Sequence, residues 1–223
     1  VNSTTSAATA VVEDYVKVIY SHTEWQPEPI TSSVLASRLG LAASSVTEMV
    51  KKLAAAGFVT HVPYGAITLT DEGRLLALRM LRRHRLIETW LVESFGYGWD
   101  EVHDDAEVLE HAISDRLLDA IDESLGHPTR DPHGDPIPQS DGSLVRPVAV
   151  LLRDAPVPGR FTVVRISDRD SALLQHLEGH GITLDTVLDV IERKPFGGAL
   201  AVRTPASEID LGDDATRAIW VSP

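Results

Sequence analysis

Along the first seventy residues, apolar positions recur at helical spacing and then give way to alternation. Val11, Val12, Tyr15, Val16, Ile19 and Tyr20 repeat every three to four residues and predict a first helix over 8–22, stopped by Pro27 and Pro29. TSSVLASRLG, with a Thr/Ser start and a Gly stop, predicts a short second helix. LAASSVTEMVKKLAAAGFV predicts a third, which buries Val46, Val50 and Leu53 and turns Thr47, Glu48, Lys51 and Lys52 outward. Two short helices around a tight turn have the helix-turn-helix rhythm. FVTHV, the PYGA turn and ITLT then read as a two-stranded wing before Thr70 caps another helix.

Farther on, LLALRMLRRHRLIETWLVESFG predicts a long helix broken at Gly96 and Gly98, and WDEVHDDAEVLEHAISDRLLDAIDESLG predicts another. Leu109, Ile113, Leu117 and Ile121 give this second helix an apolar side, and so much apolar surface on a two-helix unit predicts a homodimer. Seven of the thirteen prolines fall in residues 126–160, an extended connection. FTVVRI, TVLDVIER, ALAVRT and AIWVSP alternate like strands around the short helix SALLQHLEGHG, enough for a small β-barrel. The fold class is therefore mainly α with β. The expected division is a winged helix-turn-helix over 1–75, a helical dimerisation domain over 76–148 and the barrel over 149–223.

Composition narrows the class. With 223 residues and 43% hydrophobic content, the chain can bury a core in two or three small domains. It has no cysteine, which excludes thiolate metal ligation and disulfides and fits a reducing cytoplasm. No basic-then-apolar leader opens the chain and no apolar run approaches the roughly 18 residues of a membrane span, so a soluble cytoplasmic protein without a membrane partner is expected. The net charge of -13 is unevenly spread: residues 1–83 carry +1 and residues 84–223 carry -14. A near-neutral reading module is compatible with DNA but argues against indiscriminate affinity for it.

The chemistry concentrates between His84 and His111. His103, Glu107, Glu110 and His111 stand at i, i+4, i+7 and i+8 and would share one stripe of a helix; His84 and Glu88 repeat the i, i+4 pairing earlier. A single His/Glu pair is ordinarily a solvated face, but six such residues on successive helical segments suit a metal ion better. Asp14 lies beside the apolar stripe of the first helix, where a carboxylate either stays at the edge facing water or meets a cation. His127, His176 and His180 read as loop or surface residues. In the third helix, Ser44, Ser45 and Thr47 are small enough to approach base edges, while Lys51 and Lys52 suit phosphates. With Glu48 and Tyr64 of the wing turn, they form the candidate DNA-contacting set. A winged helix used only for protein contacts is the alternative.

HRLIE, VHDDAEVLEH followed by SD, and PHGDPIP, with a winged helix upstream, resemble the signature stretches of the diphtheria-toxin-repressor family of metal-dependent transcription regulators. The resemblance covers essentially the whole chain and implies an SH3-like or FeoA-like last domain, a homodimer and double-stranded operator DNA as partner. It implies a primary metal site of Asp14, Glu107, Glu110 and His111. It also implies an ancillary site of His84, Glu88 and His103, with Asp168, Asp131 and His133 as further candidates. The iron-responsive members place Met and Cys where this chain has Asp14 and Glu107; two harder ligands point to the Mn²⁺-responsive branch. Fe²⁺ is the alternative, and Zn²⁺ or other divalent ions are able to occupy such sites in vitro. Some small manganese regulators carry a glutamate one turn after the helix 1 acid, where this chain has Lys17, which favours two separate sites over adjacent ions. The expected function is a non-enzymatic repressor with Mn²⁺ as co-repressor. Its rivals are an iron-responsive regulator, a constitutive DNA binder with a structural ion, and a metallohydrolase, which H-E-x-x-H would have marked and which the sequence lacks.

Overall fold

The computed structural model of the chain describes residues 3–62, 65–205 and 207–223. Tyr64 lies outside them. The chain forms two compact units, one built up to Arg83 together with Pro138–Ser143, the other from His84–Ile137 and Leu144–Pro223.

In the first unit, α1 (Ser3–Glu24), α2 (Ser32–Leu39) and α3 (Ala43–Ala55) precede β1 (Val59–His61) and β2 (Ile67–Leu69). Tyr15, Ile19, Ile30, Leu35, Val46, Val50, Leu53, Val59 and Ile67 close one core, so the helical period of α1 and α3 and the alternation of the wing face the same interior. Thr31 caps α2 by accepting from the Val34 N–H, and Gly40 ends it in the left-handed region. The strands pair antiparallel, Val59 opposite Leu69 and His61 opposite Ile67.

Thr70 links the wing to α4 (Asp71–Phe95): its hydroxyl donates to Gly57 O at 2.6 Å and accepts from Gly73 N at 3.1 Å. Gly73 lies against Phe58, and a Cβ there would overlap the Phe58 carbonyl oxygen. The helix runs unbroken through residues 75 and 76, where the sequence pattern sets a domain boundary.

In the second unit, the remainder of α4 packs with α5 (Val102–Leu109) through Ile87, Leu91, Val102 and Ala106. α6 (Asp115–Ser124) packs through Leu118 against Leu86 and Ile137. The sequence predicts one helix over α5 and α6; the chain turns between them. The Leu109 carbonyl accepts from both Ala112 N and Ile113 N, ending α5, and Ser114 caps α6 by accepting from Leu117 N. The expected apolar side is divided accordingly, with Ile121 buried and Leu109 and Leu117 exposed.

The last segment builds a six-stranded antiparallel sheet in the order β3-β8-β4-β5-β6-β7. Its strands are β3 (Val150–Leu151), β4 (Gly159–Ile166), β5 (Val187–Arg193), β6 (Leu200–Arg203), β7 (Glu208–Leu211) and β8 (Ile219–Ser222). Bulges between Val163 and Arg165 and between Val190 and Glu192 bend it. With α7 (Ser171–Gly179) and α8 (Asp213–Ala218), it encloses Leu152, Val163, Leu174, Leu188, Val202 and Val221.

Candidate metal centre

Three stretches of the second unit converge: the second half of α4, the α5 segment with its following turn, and the PHGDP loop. His84 and Glu88 lie one turn apart on α4, both buried. His84 Nδ1 is 2.6 Å from Glu110 Oε2, and its Nε2 is 2.9 Å from Glu88 Oε1. The ring therefore holds one nitrogen toward each of two carboxylates. His103, at the start of α5, brings Nδ1 to 3.3 Å from the same Glu88 oxygen and 3.5 Å from Asp168 Oδ2, which the C-terminal domain supplies just before α7.

The PHGDP loop approaches Glu88 from another side. Asp131 Oδ1 accepts from His133 N and Asp135 N, each at 2.9 Å, which turns the loop tightly. Gly134 has φ +92°, and a Cβ there would overlap Val164 O, so the backbone of β4 comes up against the loop. Ile166 N then donates to His133 O. His133 Nε2 bonds Trp99 O at 2.6 Å, while its Nδ1, 3.8 Å from Glu88 Oε2, has no hydrogen-bond partner among the described residues. Behind the loop, Arg165 Nε donates to Asp135 Oδ1 at 2.8 Å, and Arg85 Nη1 donates to Pro136 O at 2.6 Å.

Three groupings of donor atoms follow, each lying within 4.8 Å: His84, Glu88 and His103; His84, Glu107 and Glu110; and Glu88, Asp131 and His133. His84 belongs to two of them and Glu88 to two. Glu110 is fully buried as the residue closing α5, Glu107 stands half-exposed in its last turn, and His111 follows with Nε2 3.5 Å from Glu110 Oε1. The predicted stripe thus leaves the helix before its last two members. Asp14 stands half-buried on α1 in the first unit.

The electrostatics are those of a site that expects positive charge. Burial by itself would raise the Glu88 carboxyl, but the charge on His84 and the hydrogen bonds from His103 and His84 hold it well below the ordinary range. Burial and the neighbouring Asp135 push Asp131 up to about 7. The His103 imidazole is raised by its bond to Glu88, and His133 is raised, against its own burial, by Asp131 and Glu88. A buried carboxylate kept ionised beside an orphaned imidazole nitrogen, with only oxygen and nitrogen donors around, fits a divalent cation.

Sequence spacing did not foresee that His84 meets Glu110, nor that Arg85 and Trp99 serve the PHGDP loop; the first is a contact across 26 residues and the Trp99 contribution is a main-chain carbonyl. On α3, Ser44, Ser45, Thr47, Glu48, Lys51 and Lys52 are all exposed. The Thr47 hydroxyl donates back to Ala43 O, and Lys51 pairs with Glu48 at 2.7 Å. His127 bonds Asp122 at the end of α6, and the His176 and His180 rings lie 4.6 Å apart on the far end of α7.

The chain matches known proteins over most of its length. The profile of the iron dependent repressor N-terminal DNA binding domain matches residues 8–67, that of the iron dependent repressor metal binding and dimerisation domain matches 70–139, and that of the FeoA domain matches 150–223. The diphtheria toxin repressor of Corynebacterium diphtheriae is 32% identical over 219 residues, covering 94% of this chain and 95% of its own. The iron-dependent repressor of Mycobacterium tuberculosis is 28% identical over 229 residues, with shares of 94% and 95%. Among solved structures, a manganese-dependent transcriptional repressor in complex with manganese superposes with a TM-score of 0.91 at 49% identity, covering 94% of this chain and 98% of that one.

Proposed function

This chain belongs to the iron-dependent repressor family that includes the diphtheria toxin repressor, and we propose that manganese is the metal it senses. It is a metal-dependent DNA-binding transcriptional repressor, not an enzyme. The observation that carries the choice of manganese is the donor set: carboxylate oxygens and imidazole nitrogens throughout, in a chain without a single cysteine. Hard donors of this kind suit Mn²⁺ and offer nothing that favours a softer ion. The 49% identical relative, itself manganese-dependent and solved with manganese, supports the same reading.

The proposed primary ligands are Glu107, Glu110, His111 and, from α1, Asp14. The proposed second site draws on His84, Glu88 and His103, with Asp168, Asp131 and His133 as its further donors. A bound divalent ion supplies the positive charge that cancels repulsion among these carboxylates. Glu110 and His111 hold their place through the turn that closes α5, and Asp14 brings the winged helix under the same control. Ordering two winged helices in a homodimer would set Ser44, Ser45, Thr47, Glu48, Lys51 and Lys52 of each copy against successive major-groove half-sites of an operator. The proposed place of action is on operator DNA in the cytoplasm. Among the described residues, no helix is long and apolar enough to cross a membrane.

The test is fluorescence anisotropy of a labelled promoter fragment from a manganese-uptake gene, titrated with protein in chelator, Mn²⁺, Fe²⁺ and Zn²⁺. Tight binding is expected with Mn²⁺ and none in chelator. Asp14→Ala and His111→Ala should each abolish the metal-stimulated part without altering the circular dichroism spectrum. Equal binding in chelator, or unchanged affinity in both variants, would overturn the proposal.

A further inference from the structure

His133 is 1% exposed, and its two nitrogens have different surroundings. A main-chain carbonyl only accepts, so the 2.6 Å contact from Nε2 to Trp99 O puts the hydrogen on Nε2. The neutral ring then keeps its lone pair on Nδ1, the atom left without a hydrogen-bond partner beside Glu88 and Asp131. A ligating histidine requires that division of roles, with its second nitrogen held by an acceptor.

Trp99 is itself held. It lies in the loop between α4 and α5, its ring stacked over His133 with centroids 6.0 Å apart and planes 22° from parallel. Its indole Nε1 donates to Glu178 Oε2 at 3.2 Å, and the next residue, Asp100, accepts from Gln175 Nε2 at 2.6 Å. Glu178 and Gln175 are exposed residues of α7, and the Trp99 ring packs against the core of the C-terminal domain. The carbonyl that fixes His133 is therefore placed by a loop pinned to α7 at two successive side chains.

We infer that Trp99 is a positioning residue for the metal group around His133: its carbonyl sets the imidazole tautomer, and its indole bond to Glu178 makes α7 of the C-terminal domain a support of that setting. The inference rests on the reading above, that Glu88, Asp131 and His133 take an ion. On this account the C-terminal domain serves the site twice, through Asp168 near the donors and through α7 behind Trp99. A contact that merely packed the domain would leave the tautomer and the ion affinity unchanged when the indole bond is removed.

The experiment pairs two readouts on full-length protein. Long-range ¹H–¹⁵N correlation spectra of the metal-free protein report the His133 tautomer, assigned with His133→Ala; calorimetric Mn²⁺ titration reports the ions bound. Wild type, brought to a pH at which the His133 ring is neutral, should show its single hydrogen on Nε2. Trp99→Phe and Glu178→Ala should each mix the tautomers and weaken the Mn²⁺ class lost in His133→Ala by about 10-fold, with the other class unmoved. Glu178 is exposed, so its variant keeps the test open if the Trp99 substitution impairs folding. A neutral His133 ring with its hydrogen on Nδ1 in wild type, or an unaltered tautomer and affinity in Glu178→Ala and folded Trp99→Phe, would overturn the inference. Mn²⁺ stoichiometry that His133→Ala leaves unchanged would instead overturn the site reading on which it rests.

Discussion

His84 offers a nitrogen to each of two carboxylates, Glu110 at 2.6 Å and Glu88 at 2.9 Å, and an imidazole so placed cannot serve one group without affecting the other. His133 faces only the Glu88–Asp131 side. Removing His84 should therefore disturb both donor groups, directly on one side and by releasing a buried carboxylate on the other. In calorimetric Mn²⁺ titrations, His84→Ala is expected to weaken both classes of binding, each by roughly 10–100-fold. His133→Ala should abolish one and leave the other. Equal and selective losses in the two variants would show that His84 does not link the groups. The i, i+4 spacing of His84 and Glu88 was legible in the sequence; the approach of Glu110 was not, because it follows from how α5 ends.

At the scale of elements, capping decides where the site residues stand. The sequence period runs on from Val102 to Leu125, and nothing in it marks the break; Ser114 looks like any polar residue on a helix until its side chain accepts Leu117 N and starts α6. The break takes Glu110 and His111 off the regular helix and into the turn. The junction of wing and α4 is as strictly built. Gly73 has ordinary helical conformation but lies against the Phe58 carbonyl, so Gly73→Ala should cost about 1–3 kcal/mol in urea denaturation of the metal-free protein, although alanine is the better helix former. A neutral or stabilising effect would mean that β1 moves freely away from α4.

Across the whole molecule, charge is segregated. On the proposed assignment of α3 to the operator, a chain of net charge -13 would meet a polyanion with few exposed cations on that helix, and Lys51 is already paired with Glu48. Such a protein should depend on metal and on its operator more than on general attraction to phosphate. Lys51→Ala and Lys52→Ala are expected to weaken Mn²⁺-dependent binding alike on operator and mutated operator, and each to lower the slope of log affinity against log salt by about 1. Anisotropy at several salt concentrations measures both. A loss confined to the operator would assign these lysines to base reading.

What the sequence determined by itself was what short-range chemistry controls. The helical period of α1 and α3, the alternation of the wing and of β4, β5, β6 and β8, and the supply of hard donors with no cysteine all depend on residue type and near spacing. Tertiary structure alone decided the end of α5, the meeting of His84 with Glu110 across 26 residues, and the orientation of His133 by a carbonyl 34 residues away. The reason is physical: periodicity fixes the face a side chain takes, but which buried polar atoms become partners depends on loops and caps that close only when distant segments pack.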